Sequence, residues 1–158
     1  MCPADRAALG GFFAGLSVTS RTLRFFAPVT PSQSMLSRLA GDAAGVEALV
    51  ATCGGGIVGH AMAADQPGPP GRLLTHVGLV VADAWQGQGV GAALMRALTA
   101  AAACDRGVTS LAMDVLPENR RVLAMITAHW DKALSERMAD CVAIRVPLPS
   151  QQHERPAA

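Results

Sequence analysis

The feature that most constrains this chain is a junction near its middle. Apolar Leu79-Val80-Val81 is followed by Ala82-Asp83-Ala84-Trp85, then by Gln86-Gly87-Gln88-Gly89-Val90-Gly91-Ala92, then by small and apolar residues as far as about Asp105. The first piece has strand character and the last keeps helical spacing until Gly107, so the glycines form a turn between a strand and a helix. Backbone N–H groups at a helix start lack intrahelical acceptors, and the helix dipole places its positive end beside them. Such a turn is an anion site, and Gly87, Gly89 and Gly91 clear side chains from a surface that a pyrophosphate must approach closely. Glycines that only let a helix pack on a strand would give the same pattern, so the rest of the chain has to decide.

Two other phosphate-binding patterns compete. Gly87-Gln88-Gly89-Val90-Gly91-Ala92 also fits the dinucleotide fingerprint G-x-G-x-x-G/A, with Asp114 closing the next strand where a ribose-binding acid would sit. Three strands precede this turn, however, and the chain after Asp114 is too short for the remaining parallel strands of a doubly wound sheet. A Walker loop is excluded because no Gly-Lys-Ser/Thr follows the glycines.

Around the junction the order of elements is readable. Leu9, Phe12, Phe13 and Leu16 line one face of a helix with Asp5 near its start. A short helix is expected over Thr19 to Phe26, ended by Pro28, and another after Thr30-Pro31, with Met35, Leu36 and Leu39 on its apolar face until Gly41. Val46–Ala51 and Ile57–Ala63 flank Cys53-Gly54-Gly55-Gly56 as an antiparallel hairpin, 65–72 reads as a proline-rich loop, and Leu73–Val81 as a third strand. A strand at Val108–Val115, a helix opened by Pro117-Glu118-Asn119 and running to about Trp130, and a strand at Cys141–Leu148 complete the series. The expected fold is α/β of the α+β kind, a mixed sheet with helices packed on it, in one domain over 1–148. The tail 149–158 is expected to fray.

Composition removes several functions. A chain of 158 residues with net charge +1, 51% apolar and 16% charged, gives no attraction to nucleic acid and no signature of disorder. Cys2, Cys53, Cys104 and Cys141 show no paired spacing, so neither a metal site nor a redox motif is expected, and reduced thiols are. No signal peptide and no membrane-length apolar run is read, since Arg96 interrupts the longest candidate, and a cytoplasmic location is expected.

Leu79-Val80-Val81 through Gln86-Gly87-Gln88-Gly89-Val90-Gly91 resembles the acetyl-CoA motif Gln/Arg-x-x-Gly-x-Gly/Ala of the GNAT acetyltransferases. Leu116-Pro117-Glu118-Asn119-Arg120-Arg121 is similar to the segment that follows it in that superfamily. Leu16-Ser17, Ser20 and Leu23-Arg24-Phe25-Phe26-Ala27-Pro28 resemble the acetyltransferase domain of bacterial protein-lysine acetyltransferases, so the likeness spans roughly 7–148. It implies a mostly antiparallel sheet that splays in the middle, between the Leu73–Val81 and Val108–Val115 strands, with helices on both faces. Acetyl-CoA is the implied co-substrate, with no metal. The main chain of Leu79, Val80 and Val81 would pair with the pantetheine arm, the amides from Gln86 through Gly87, Gln88, Gly89, Val90 and Gly91 to Ala92 would hold the pyrophosphate, and Asn119 would touch the cofactor arm. A protein lysine is the implied acceptor, with an acyl-CoA synthetase as the kind of protein substrate and no nucleic-acid or membrane partner; oligomeric state stays open.

Transfer to a lysine-like amine needs a base, because at a pKa of about 10.4 the free amine is a minute fraction near neutral pH. Where the resembled lysine acetyltransferases carry a glutamate on the strand before the motif, this chain has His76, which accepts a proton near neutrality and is the candidate base. Packing is the alternative role, with Asp114, Glu118 and Glu47 as fallback carboxylates and His60 and His129 as weaker candidates. The sequence contains no Tyr, so a tyrosine cannot protonate the leaving thiolate. Trp130-Asp131 stands where relatives commonly show Gly-Phe. Arg21 and Arg24, one turn apart, are free to meet an acidic protein, cofactor phosphates or solvent. A small-molecule amine acetyltransferase and a non-catalytic acyl-CoA-binding domain remain the alternatives.

Overall fold

The computed structural model describes residues 3–67, 73–105 and 108–148. Its first helix, α1 (Pro3–Gly15), has the expected apolar face, with Leu9, Phe12 and Phe13 buried together with Leu16 just beyond it. Ser17 then caps α2 (Val18–Phe25), its hydroxyl accepting from the Ser20 N–H at 3.1 Å. The next helix, α3 (Gln33–Leu39), starts later than Thr30-Pro31 suggests. Ser32 takes the cap, accepting from Met35 N–H at 3.4 Å, because its side chain satisfies an otherwise orphaned amide.

The hairpin is β1 (Val46–Cys53) and β2 (Gly56–Pro67), turned by Gly54 and Gly55 at φ +57° and +80°, the left-handed pair that two-residue hairpins require. β2 runs on to Pro67, into the stretch read as loop, because Asp65, Gln66 and Pro67 pair with Thr75, Leu74 and Leu73. Residues 68–72 of that expected loop, Cys2 and the tail 149–158 lie outside the described residues. β3 (Leu73–Val81) falls where the sequence places it, and a 3-10 turn, Asp83–Trp85, precedes α4 (Val90–Asp105). After β4 (Ser110–Val115) come α5 (Arg120–His129), β5 (Leu134–Arg137) and β6 (Val142–Pro147). Sequence periodicity misses β5 because all four of its residues are exposed and no apolar alternation marks it.

The strands form one sheet in the order β1-β2-β3-β4-β6-β5, antiparallel except for β3 beside β4. Side chains alternate across the sheet, which sorts the helices onto two faces. Ala61, Ala63, Val77 and Leu79 meet Leu94 and Leu98 of α4, while Leu111, Met113 and Val115 meet Met95 of α4 and Ile126 of α5. On the opposite face Val80 and Met62 pack against Leu9, Phe13, Leu36 and Leu39 of α1 and α3. The fold is therefore mixed α/β with a mostly antiparallel sheet and helices on both faces, as expected.

Candidate active site

β3 and β4 are neighbours only briefly. They pair at Thr75–Leu111 and His76–Ala112, and beyond His76 the strands part. The unpaired edge of β3 from Val77 to Val81 thus faces a gap instead of a ladder, and unpaired main-chain groups there need another partner. Two cavities open from this gap. One, of about 880 Å³, is lined by Leu79, Val80, Val81, Gln86, Gly87, Gly89, Gly91 and Ala92, and across from them by 118–122 at the start of α5. The other, of about 250 Å³, is lined by His76, Val77 and Gly78 of β3, Asp114 of β4, and Arg24, Phe25 and Phe26 at the end of α2. Leu23, Arg24, Leu79, Asn119, Val122 and Met125 border both, so the two meet at the splay.

The glycine turn has the local geometry an anion requires. Gly87 and Gly89 sit at φ +77° and +83°, and a Cβ at either would meet open space, so the glycines serve backbone conformation and close approach, not packing. Gly91 differs, since a Cβ there would touch Leu79 at 3.5 Å and Met125 at 3.6 Å. Of the residues expected at this turn, Gln88 and Val90 do not line the groove. Gln88 Nε2 donates to Ala84 O at 2.8 Å, and Val90 packs 3.2 Å from where a Gly59 Cβ would stand.

A polar network braces the turn from beneath. Asp83 accepts from Ser17 N–H at 2.9 Å, from Ser17 Oγ at 2.7 Å and from Ser20 Oγ at 2.7 Å. Desolvation works against ionisation of Asp83, yet these hydrogen bonds outweigh it and hold its carboxyl below the usual range. Gln86 Nε2 donates to Ser20 Oγ at 3.0 Å and to Val81 O at 3.1 Å, and its Oε1 accepts from Arg121 Nη1 at 2.8 Å. The first residue of the expected motif thus joins α2, β3 and α5 through its side chain. Sequence reasoning assigned no role to Asp83; the signal was Ser17-x-x-Ser20, a cap and a second hydroxyl one turn on.

The other candidates separate cleanly. His76 borders the smaller cavity at the last paired position of the splay. Asn119 borders both cavities, and its Oδ1 caps α5 by accepting from Val122 N–H at 3.4 Å. Asp114 borders the smaller cavity and Glu118 the groove, whereas Glu47 lies on β1 away from both. His60 is fully buried with its ring N–H, Nε2, on Leu39 O at 2.8 Å; desolvation lowers its pKa to about 4, only partly offset by that bond, with the Arg24 charge lowering it further. His129 lines the groove and its Nδ1 lies 2.9 Å from Met125 O. Arg21 is structural, donating to Leu16 O at 2.8 Å, while Arg24 reaches into the gap. Among the described residues no group of three or more His, Cys, Asp or Glu side chains is placed to hold a metal, and no helix is long and apolar enough to cross a membrane.

Residues 18–129 match the model of the acetyltransferase (GNAT) family. The chain belongs to that family. Its structure is similar to the GNAT domain of S. lividans PAT, with 26% identity and a TM-score of 0.81, covering 94% of this chain and 88% of that one. It also shares the fold of yncA, an acetyltransferase from Salmonella typhimurium solved with acetyl-CoA, at 18% identity and TM-score 0.70 over 100% and 95% of the two chains. A phosphinothricin acetyltransferase from Sinorhizobium meliloti in complex with AcCoA has the same fold at 16% identity and TM-score 0.69, covering 96% and 92%. No curated protein matches the chain by sequence. GNAT membership makes the chain an acetyl-CoA-dependent N-acetyltransferase, and the open β3 edge with Gly87 and Gly89 beside it fits a pantetheine arm ending in a pyrophosphate.

Proposed function

We propose that this acetyltransferase acetylates an amine that enters through the smaller cavity, with a lysine side chain of a protein as the favoured acceptor. The observation that carries the reading is the joining of the glycine-lined groove to the His76 cavity through the β3–β4 splay. A thioester held along the groove would present its carbonyl where the strands part, and an amine in the smaller cavity would meet it there. The favoured acceptor rests on the likeness of the Ser17 to Pro28 segment to protein-lysine acetyltransferases and on the similarity to S. lividans PAT.

In this reading the main chain of Leu79, Val80 and Val81 binds the pantetheine arm and the amides of the 86–92 turn bind the pyrophosphate. His76, at the vertex, takes the proton of the incoming ammonium, and Asp114 across the cavity helps place that charge. The leaving thiolate, with a pKa of about 8.5, departs without a tyrosine donor.

The test is transfer of labelled acetyl from acetyl-CoA into a cell lysate separated into proteins and small molecules. Label in the protein fraction supports the lysine reading. Label among small molecules moves the acceptor to a metabolite amine, and no label with acetyl-CoA binding intact leaves a domain that binds without turnover. His76→Ala is expected to lower kcat about 100-fold while acetyl-CoA affinity holds; an unchanged rate removes His76 from proton transfer.

A further inference from the structure

Among the described residues Arg24 is the one Arg or Lys that borders both cavities near the vertex, and its surroundings are unusual for a guanidinium. Its Nε is shielded from solvent and has no hydrogen-bond partner, and no carboxylate among the described residues lies within ion-pair distance of it. The guanidinium lies on Gly78 of β3: a Cβ there would fall 2.5 Å from Cζ and 2.7 Å from Nη1. Gly78 has no positive φ to explain it, and it leaves the space in which the guanidinium lies; a side chain there would have to displace it. Phe25 backs the cation, its ring centroid 5.0 Å from Cζ. Desolvation lowers the arginine's pKa to about 10, which leaves it charged near neutral pH.

A half-buried guanidinium with a shielded, unpartnered Nε is costly, and strand, aromatic ring and helix end hold this one in place nonetheless. Phe26, the residue after α2, adopts φ +61°, a conformation a bulky side chain rarely takes, and it borders the same cavity. In register along β3, Gly78 shares a face with His76, and Asp114 stands on the neighbouring strand. The cavity thus offers one uncompensated cation beside the candidate base and one carboxylate across the gap.

We propose that the acceptor is an amine that also bears a carboxylate, and that Arg24 binds this carboxylate while the amine lies toward His76 and Asp114. This rests on the acetyl-transfer reading and narrows its acceptor. The planar fork of a guanidinium takes a carboxylate through two parallel hydrogen bonds, and desolvation strengthens them. The carboxylate belongs either to a free amino acid or to an acidic residue beside a protein lysine; the chemistry at Arg24 is the same.

The experiment uses matched acceptors. Free amino acids are compared with their carboxamides, and the blocked peptide Glu-Lys-Glu with Gln-Lys-Gln, following CoA release by wild type, Arg24→Gln, Arg24→Lys and Gly78→Ala. The wild type is expected to favour the carboxylate member of a pair by roughly ten- to a hundredfold in kcat/KM. Arg24→Gln abolishes that preference with acetyl-CoA KM unchanged, Arg24→Lys restores part of it, and Gly78→Ala, which keeps the charge but displaces it, loses most of it. Preference in the amino-acid pairs identifies a free amino acid, and preference in the peptide pair an acid-flanked lysine. Equal rates within every pair overturn the proposal while leaving acetyl transfer standing. A raised acetyl-CoA KM in Arg24→Gln without an acceptor effect gives Arg24 to the cofactor and also overturns it. If no acceptor is turned over, binding of N-acetyl amino acids and their amides to the CoA-loaded protein decides: tighter wild-type binding of the acid, lost in Arg24→Gln, supports the proposal, and its absence overturns it.

Discussion

The two edges of β3 behave differently. Toward β2 the strand is paired along its whole length, from Pro67–Leu73 to Gly59–Val81, and the faces over that pairing are filled by α4 on one side and by α1 and α3 on the other. Toward β4 it pairs at Thr75 and His76 alone, and what lies beyond is cavity. The closed edge makes the open one tolerable: strand pairing and burial on one side hold β3 rigid enough to present unsatisfied main-chain groups on the other. Residues over the closed edge should therefore govern stability, and residues along the open edge should govern binding and turnover.

The largest expected effect tests the closed side. Leu98, fully buried against Ala61 and Ala63, should cost about 2–5 kcal/mol in urea unfolding as Leu98→Ala, with acetyl-CoA affinity of the folded protein unchanged. A large loss of affinity in a folded Leu98→Ala protein would erase the division between the edges.

His60 sharpens the same side. Its ordinary pKa of 6.5 falls to about 4 in the folded chain, so between those values the unfolded state binds the extra proton. Stability is then fully present above pH 6.5 and declines as pH falls toward 4, by about 3 kcal/mol in all. Denaturant midpoints across that range should show the slope, and His60→Gln should lose most of it.

On the open side, Gly89→Val puts a β-branched residue at φ +83° on the surface assigned to the pyrophosphate. Acetyl-CoA affinity by calorimetry should fall about 100-fold, about 2.7 kcal/mol, with a smaller loss of stability. Unchanged affinity would remove the turn from the cofactor site.

The smallest effect is expected at the brace that joins the regions. Asp83→Asn removes the charge that Ser17 and Ser20 hold, and should cost about 1 kcal/mol of stability and weaken acetyl-CoA binding a few-fold by loosening Gln86. A change in neither quantity would show that the network merely decorates the turn.

Much of this arrangement was legible in the residues, for local reasons. The bounds of β3, the face of α1 and the Gly54-Gly55 turn depend on side-chain period and glycine conformation within a few residues. The glycine motif falls at the groove, where the side chain of Gln88 bonds Ala84 O and that of Val90 packs near Gly59. What could not be read depends on partners distant in sequence. β5 exists because β6 offers it a ladder, and Asp83 matters because two serines from α2 reach it.

By itself the sequence determined the kind of chain this is: a strand, a glycine turn and a helix in a small chain of mixed elements, since these follow from local backbone freedom and periodic burial. Only the tertiary structure decided that β3 and β4 part after His76, that Arg21 is spent on a helix boundary while Arg24 lies on Gly78 with no ion-pair partner among the described residues, and that His60 is core and His76 is not. A histidine or arginine acquires its chemistry from desolvation and from the charges packed around it, and those are set when the layers close.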